Sequence, residues 1–435
     1  MRIAVIGSGI SGNVAAYLLA PHHEVTVYEK RDRKGGHSAT KHVDYDGDGK
    51  TIAVDTGFIV YNLFNYPGLT GLFEELGVDT MDSNMSFAFS SEKGRFEWSG
   101  QSLATVFAQK RNIFNPRFWG MLRGIFKFNK LAARDFEAGN LGDMSLGEWL
   151  QRYGFSQVFQ KRYLLPMGSA IWSTPADQML DFPAASFLQF FYNHRLINAD
   201  RPQWRTVVGG SQQYVEKLTE SFDSAIRLSD EVTQIMRTPK GVEVATAQGT
   251  QIYDHVIMAT HSDQALAILK DADANEKEVL SAVRYLPNQV YLHRDESLMP
   301  KRKKTWSAWN YLSHDVPENK AQLPIMTVTY WMNRLQNLDE SRPLFVTLNP
   351  PTPPAEALTF GHYVYDHPQY DRAALAAQAK LPSLQGQNNT WFCGAWTGYG
   401  FHEDGLQSAL EVCRGLAKVT QNEALTTNFT RKAAE

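Results

Sequence analysis

Arg2-Ile3-Ala4-Val5-Ile6-Gly7-Ser8-Gly9-Ile10-Ser11-Gly12 is the stretch whose reading decides the fold. The first five residues form a short apolar run that predicts a buried strand, and the glycine-rich turn follows at once. Asn13 to Ala20 then reads as a helix, Glu24 to Tyr28 as a second strand, and the acid Glu29 stands seventeen residues after Gly12. Strand, glycine turn, helix, strand and acid make one βαβ-sized unit. Gly7 permits the tight turn, Gly9 lets backbone approach a pyrophosphate, and Gly12 lets helix and strand pack closely. The helix N-terminus would face phosphates with free N–H groups and the positive end of its dipole. Glu29 would accept hydrogen bonds from a ribose hydroxyl, which favours an adenosine diphosphate without a 2′-phosphate.

The next residues narrow the ligand. Arg33-Lys34-Gly35-Gly36-His37 continues from Glu29 and resembles the E-x-x-x-R-x-G-G extension of FAD enzymes. In those proteins the arginine reaches a phosphate and the paired glycines pass close to the flavin. FAD is therefore the expected cofactor.

The chain has 435 residues, enough for two domains or one large composite one. Its charge is −3 and its apolar content 43%, so neither disorder nor general affinity for nucleic acid is expected. Cys393 and Cys413 are the only cysteines, too few for a disulfide framework, which points to a reducing compartment. A strand starting at residue 2 leaves no room for a signal peptide, and no uncharged apolar stretch reaches the length of a membrane span. A soluble cytoplasmic protein is expected, with peripheral contact to the inner face of the membrane left open.

Asp44, Asp46, Asp48, Gly49 and Asp55 imitate the spacing of a calcium loop. Such a loop needs a helix on each side and usually a bidentate Glu at its twelfth position. The flanks His42–Tyr45 and Thr51–Val54 instead alternate as strands around an Asp46–Gly49 turn, so a hairpin is expected and no metal. Val54 to Asn62 reads as buried strand with Thr56-Gly57 inside it, where glycine marks close approach of a ligand or another backbone. Tyr66 to Leu76 reads as a helix closed by Gly77.

Between Trp98 and Arg134 all seven charges are basic. At about 100° per residue, Phe118, Trp119, Met121, Leu122, Ile125, Phe126, Phe128 and Ala132 share one broad face. Arg123, Lys127, Lys130 and Arg134 share the other. Residues 107–136 thus fit either a core-facing helix with a solvated basic side or a helix lying in a membrane interface. Arg162 to Pro175 and Phe182 to Tyr192 are dense in apolar and aromatic residues, which suits a greasy substrate cavity or plain core equally.

Val207-Val208-Gly209-Gly210-Ser211 precedes a helix from Gln213, and Ile226–Leu228, Glu231–Ile235, Gly241–Val244 and Tyr253–Ala259 read as strands completing a Rossmann-like sheet. His261 lies just beyond the last of them, a position more often structural than catalytic. Gln289–His293, Trp306–Leu312, Met326–Trp331 and Phe345–Leu348 predict a mostly antiparallel sheet. Finally, the strand Thr390–Ala395 runs into a glycine-rich turn and a helix from Leu406 to Lys418, a second site for an anion or dipole.

With both ends in view, the chain resembles the flavin amine oxidase superfamily, the protoporphyrinogen oxidase and phytoene desaturase group. The segments DTGFIVYN, LPMGSAIWSTP, RPQWRTVVGGSQQYV, ATHSDQAL, TYWMNRLQ and FCGAWTGYGFHEDGLQSAL carry that likeness over nearly the whole chain. They look most like a branch that includes the flavoprotein domain fused to plant cyclopropane fatty acid synthases and the flavoprotein desaturase of bacterial furan-fatty-acid synthesis. The resemblance implies an α/β fold of the amine oxidase type, with a Rossmann-like FAD-binding domain over 1–80, 200–265 and 386–425. An α+β substrate domain would be inserted over 81–199 and 266–385. It places dinucleotide contacts on Gly7, Gly9, Ile10, Ser11, Gly12, Glu29, Lys30, Arg33, Gly35, Gly36, Val232 and Gly394. Contacts at the flavin ring fall on His37, Thr56, Gly57, Asp404, Gly405 and Leu406.

The implied activity is dehydrogenation of a methylated acyl chain of a phospholipid, with hydride passing to flavin N5 and a base taking the proton. Tyr399, His402 and Glu403 are the candidate groups near the ring, and fixing the turn is an equal alternative role for His402 and Glu403. Two departures stand out: the superfamily's usual Arg after the paired glycines is His37, and no lysine near the flavin N5 can be assigned. Rival readings are an oxidase of a small amine and a non-catalytic flavin-binding lipid scaffold for a partner methyltransferase.

Overall fold

A computed structural model describes residues 1–198, 202–313, 327–422, 425 and 429. Two sheets divide the chain between them. The first has five parallel strands in the spatial order Ile226–Arg227, Glu24–Tyr28, Arg2–Ile6, His255–Met258 and Thr390–Phe392. Their residues are almost wholly buried on both faces, which is why the sequence shows continuous apolar runs rather than alternation. The helices Ile10–Leu19 and His402–Thr420 pack against each other on this sheet.

Hydrogen bonds step across the carboxyl ends of these strands, from Gly7 N to Tyr28 O, Glu29 N to Arg227 O, Ala259 N to Ile6 O and Cys393 N to Met258 O. Five loops therefore emerge along one edge, where ligands bind in open α/β sheets.

Not every strand expected for this sheet joins it. Gln234–Thr238, Gly241–Thr246 and Gly249–Tyr253 form a separate antiparallel meander. The alternation of Gly241 to Val244, one side buried, is the signature of a sheet with one wet face. The expected strand Val54–Asn62 is also broken. Thr51–Asp55 pairs with Thr40–Asp44 as the predicted hairpin, the chain turns at Thr56-Gly57, and Tyr61–Asn62 pairs with Trp204–Val207. At the hairpin tip Asp44 accepts N–H groups of Gly47, Asp48 and Gly49, so this acid closes a turn.

The second sheet has seven strands: Thr359–Gln369, Arg284–His293, Phe345–Leu348, Thr327–Trp331, Trp309–Ser313, Phe87–Ser91 and Phe96–Ser99. All neighbours are antiparallel except Trp309–Ser313 with Phe87–Ser91. Met326, placed at the head of an expected strand, lies outside the described residues. The helices Pro116–Glu137, Leu146–Arg152, Leu165–Trp172 and Ala184–Asn193 share one apolar core with this sheet, including Phe118, Phe128, Trp149, Phe187, Phe191, Val290 and Val328. Among the described residues no helix is long and apolar enough to cross a membrane.

Asp55 joins the two halves. Its buried carboxylate accepts from Thr40 Oγ1 at 2.6 Å, Ser211 N at 2.9 Å, Ser211 Oγ at 2.8 Å and Gln336 Nε2 at 3.1 Å. Asp55→Ala leaves these donors buried and unpaired, and each unsatisfied group costs about 1–3 kcal/mol. A loss of roughly 3 kcal/mol or more is expected in urea unfolding, against a much smaller loss for Asp44→Ala at the exposed hairpin tip.

Candidate active site

Backbone proximity at the carboxyl edge requires the glycines of the opening motif. A Cβ on Gly12 would stand 1.9 Å from Gly7 O, so that position tolerates no side chain. Gly9 is the reverse case, with nothing within 4 Å of a Cβ and open space in front of the turn. Gly36, at φ +58°, packs onto Gly9 Cα, and Gly35 N donates to Ser8 O at 2.8 Å, which brings the second glycine turn against the first. The C-terminal helix closes from the other side, since a Cβ on Gly405 would meet Ile10 Cγ2 at 2.8 Å and Ser11 Oγ at 3.0 Å. Two helix N-termini, neither with a side-chain cap bond from its first residue, therefore converge on one space. Their free N–H groups and dipoles favour an anion there.

Glu29 is buried at the end of the second strand, accepting from Ser8 N at 3.0 Å, Ser8 Oγ at 2.6 Å and Arg31 N at 2.9 Å. A carboxylate has about four lone-pair sites, so one remains for a ribose hydroxyl. Beside it, Asp230 N donates to Glu29 O, and the buried Oδ1 of Asp230 has no partner among the described residues. Val232 follows, buried. Arg33 directs its guanidinium at the carbonyl oxygens of Gly36 and Ser38, bracing the glycine turn, and Lys30 is exposed. Gly394, at φ +152°, donates its N–H to Ser408 Oγ at 2.9 Å.

A histidine cluster occupies the far side of the same edge. His37 lies 5.2 Å from the Tyr365 ring, 5.9 Å from His367 and 6.1 Å from His261, and His261 stacks on Tyr285 at 4.4 Å. Thr56 Oγ1 meets Tyr365 OH at 2.8 Å, and Gly57 has no room for a Cβ because His37 O would be 2.1 Å away. His37 and His367 are enclosed by protein yet partly accessible, as groups on the wall of an internal space are. Burial holds His37 well below the usual histidine range and His367 down to about 4, and each imidazole also repels charge on its neighbours. His37 Nε2, His261 Nδ1 and Tyr370 OH are buried without partners among the described residues. Among the described residues no group of His, Cys, Asp and Glu is arranged to hold a metal ion.

Sequence reasoning set His261 aside as structural and passed over Tyr365, His367 and Tyr370. Tyr363, Tyr365 and His367 follow one another at every second residue of Thr359–Gln369, so a period-two reading would have put them on one face. Their meeting with His37 comes from the pairing of two distant elements, which no local pattern encodes.

The three residues expected near the flavin ring are separated in role. His402 Nε2 lies 2.9 Å from Ser38 Oγ and 3.1 Å from Tyr214 OH, with the imidazole stacked on Phe58 at 3.8 Å. Burial brings it down to about 3, so it is neutral. Tyr399 OH donates to Gln189 at 2.9 Å. Glu403 accepts from Gly68 N and Leu69 N, both at 2.9 Å, capping the helix Pro67–Glu75 from outside, and it borders a surface cavity of about 700 Å³ beside Phe64, Tyr192 and Arg195. For Glu403 the geometry favours the turn-fixing role over that of base. Asp404 likewise accepts Phe401 N at 2.8 Å, and burial raises it to about 6. Leu406 is fully buried, turned toward Gly68.

This arrangement is that of a dinucleotide-binding flavoprotein. The profile of the flavin containing amine oxidoreductase family matches residues 10–343, and the chain belongs to that family. A Mycobacterium tuberculosis protein assigned to the flavin-containing monoamine oxidases, AofH, is 27% identical over 61% of this chain and 58% of its own length, so the match spans little more than half of that relative. The fold matches the crystal structure of a CLA-producing fatty acid isomerase from P. acnes with a TM-score of 0.67, at 17% identity over 96% of this chain and 98% of the other. It matches cyclohexylamine oxidase from Brevibacterium oxydans at 0.65, with 15% identity over 97% and 99%.

Membership of this family makes FAD the cofactor. The residues present fit the cofactor: open space before Gly9, two converging helix ends, a spare acceptor on Glu29 and unpartnered polar atoms along the edge.

Two outcomes follow from this geometry. Glu29→Ala removes a charged acceptor worth about 1.5–3 kcal/mol, so FAD should dissociate more readily, as read by flavin retained after dialysis. The buried imidazoles set a pH window. His367 and His402 stay neutral in the folded chain down to about 4 and 3 but gain protons near 6.5 when unfolded. Between those values the unfolded state binds more protons, so stability falls as pH drops from about 6.5 toward 4, by up to about 1.4 kcal/mol per pH unit for each imidazole. His367→Gln and His402→Gln should each flatten that slope in denaturant titrations at pH 7 and pH 5.

Proposed function

We propose that this protein dehydrogenates a methyl-branched acyl chain of a phospholipid, removing two hydrogens to leave a carbon–carbon double bond. One observation carries the reading: the acids of the C-terminal turn are committed to backbone, while the side chains beside it are aromatic. Phe190 lies 4.6 Å from Trp172, 5.2 Å from Phe401 and 6.1 Å from Tyr399. Glu403 and Asp404 hold N–H groups of Gly68, Leu69 and Phe401. A protonated amine would bring a positive charge to a wall whose nearest carboxylates are already engaged and whose imidazoles are neutral. An acyl chain asks only for apolar surface and exclusion of water. The fold shared with a protein described as a fatty acid isomerase lends support.

Bound FAD supplies the two-electron acceptor. The chain's own residues hold the substrate and move the proton. Phe190, Trp172 and Phe401 orient the acyl chain and keep water out. His367, neutral and without a hydrogen-bond partner among the described residues, is the candidate proton acceptor. His402, gripped by Ser38, Tyr214 and Phe58, positions the start of the C-terminal helix.

Anaerobic mixing with phospholipid bearing a mid-chain methyl branch should bleach the oxidised flavin band near about 450 nm. A positioned base contributes roughly 10²–10⁴-fold, so His367→Ala should slow bleaching at least a hundredfold with flavin retained, while Glu403→Gln stays within a few-fold. If branched and straight-chain lipids both leave the flavin oxidised and a simple amine reduces it, the amine oxidase reading replaces this one. If neither does, a lipid-binding scaffold is left.

A further inference from the structure

The helix Pro116–Glu137 buries less than its sequence offers. Measured around the helix from Phe118, the buried or half-buried residues Met121, Leu122, Ile125, Phe128 and Ala132 fall within a sector of about 120°. Trp119, Arg123, Phe126 and Lys130 stand outside it, at about 80–140°, and all four are exposed. Preceding segments extend this surface. Leu103 is 80% exposed, Phe114 87% and Phe126 76%, and Ile113 is exposed beside them. Trp119 Nε1 donates to Ile113 O at 2.8 Å and its ring lies 5.4 Å from Phe107, which makes the helix start and the turn before it one surface.

Lys110, Arg111, Arg117, Arg123 and Lys130 surround these apolar groups, all exposed and none in an ion pair among the described residues. No acid occurs from Trp98 to Arg134, in a chain of charge −3. Two other cations are spoken for: Lys127 is bonded to Tyr153 O, and Arg134 to Asp135 and Tyr153 OH. Large apolar side chains held in water among unpaired cations mark an interaction surface. Nucleic acid would engage the cations and stack on aromatic rings, but it offers nothing to Leu103 and Ile113. A bilayer with anionic headgroups engages both sets, the rings and aliphatic groups at the acyl boundary and the cations at the phosphates.

We propose that this face, built from Leu103, Ile113, Phe114, Trp119 and Phe126 with their cationic rim, docks the protein on an anionic phospholipid surface. The assignment stands on exposure and charge alone and is independent of the substrate.

Flavin-loaded protein would be sedimented with vesicles of phosphatidylcholine, with and without phosphatidylglycerol. Two variants serve as probes: Arg117→Glu with Arg123→Glu and Lys130→Glu, and Phe114→Ser with Phe126→Ser. All five side chains are exposed, so flavin content and thermal midpoint should match the wild type, which separates docking from folding. The wild type should bind vesicles containing phosphatidylglycerol and release them in high salt. The charge variant should bind at least roughly a hundredfold more weakly, since each basic residue lost near such a surface is worth about fivefold and each new carboxylate is repelled. The apolar variant should lose roughly tenfold while keeping its salt dependence. A wild type that stays in the supernatant, variants that sediment equally well, or a lipid-free dimer that the apolar variant breaks would each overturn the proposal, the last by making the face a contact between copies.

Discussion

A buried carboxylate with every lone pair occupied is the constraint on which this architecture turns. Asp55 ends the hairpin strand Thr51–Asp55 and gathers Thr40 from its partner strand, Ser211 from the start of the helix Gln212–Thr219 and Gln336 from the connection between two strands of the seven-stranded sheet. Its own N–H returns to Gln336 Oε1 at 2.9 Å, making the contact between the two halves reciprocal. Burial raises the carboxyl to about 6, still below neutral, so at pH 7 it is an ionised acceptor for charge-assisted bonds. The next two residues, Thr56 and Gly57, press against Tyr365 and His37. A node that fixes the halves thus also sets the distance between the glycine turns and the histidine wall.

The site is a division of labour between two kinds of surface. The nucleotide edge works through backbone: glycines that admit no side chain or leave one out, and helix ends whose first-turn N–H groups have no carbonyl four residues before them to donate to. The core behind it packs through rings. From the helix Pro116–Glu137 inward, Phe128 meets Phe191 at 5.7 Å, Phe191 meets Phe190 at 6.4 Å, and Phe190 meets Phe401 at 5.2 Å. Side chains of this size, locked by packing, hold that core to one shape better than flexible aliphatic ones do.

What the sequence made legible was whatever depends on local chemistry. Gly7, Gly9, Gly12 and Glu29 could be read because a tight turn, a close approach and a terminal acid each demand one residue type at a fixed spacing. The hairpin at Asp44 was readable on the same grounds. The strand partners were harder: the alternation of Gly241–Thr246 marks a sheet with one wet face, but nothing local names the strands that Gln234–Thr238 and Gly241–Thr246 pair with. Likewise the eight apolar residues of 118–132 filled too wide an arc. Tertiary packing buried Phe118, Met121 and Phe128 and left Trp119 and Phe126 in water, a choice made by the neighbouring helices. His37, His261 and His367 belong to three distant segments, so their cluster exists only once both sheets are assembled.

The five parallel strands have an order in time as well as in space. The central strand Arg2–Ile6 is synthesised first, and Thr390–Phe392, at the sheet's edge, comes nearly four hundred residues later. Gly394, Gly405 and the second helix end arrive with it. During synthesis the opening glycine turn must therefore wait, exposed and incomplete, while the whole second sheet is made and folded. Contacts of such sequence separation slow folding and leave intermediates with unpaired strand edges. A ligand that binds the closed edge and not the open one selects the finished fold, so cofactor supply should govern the yield of intact protein as much as its activity.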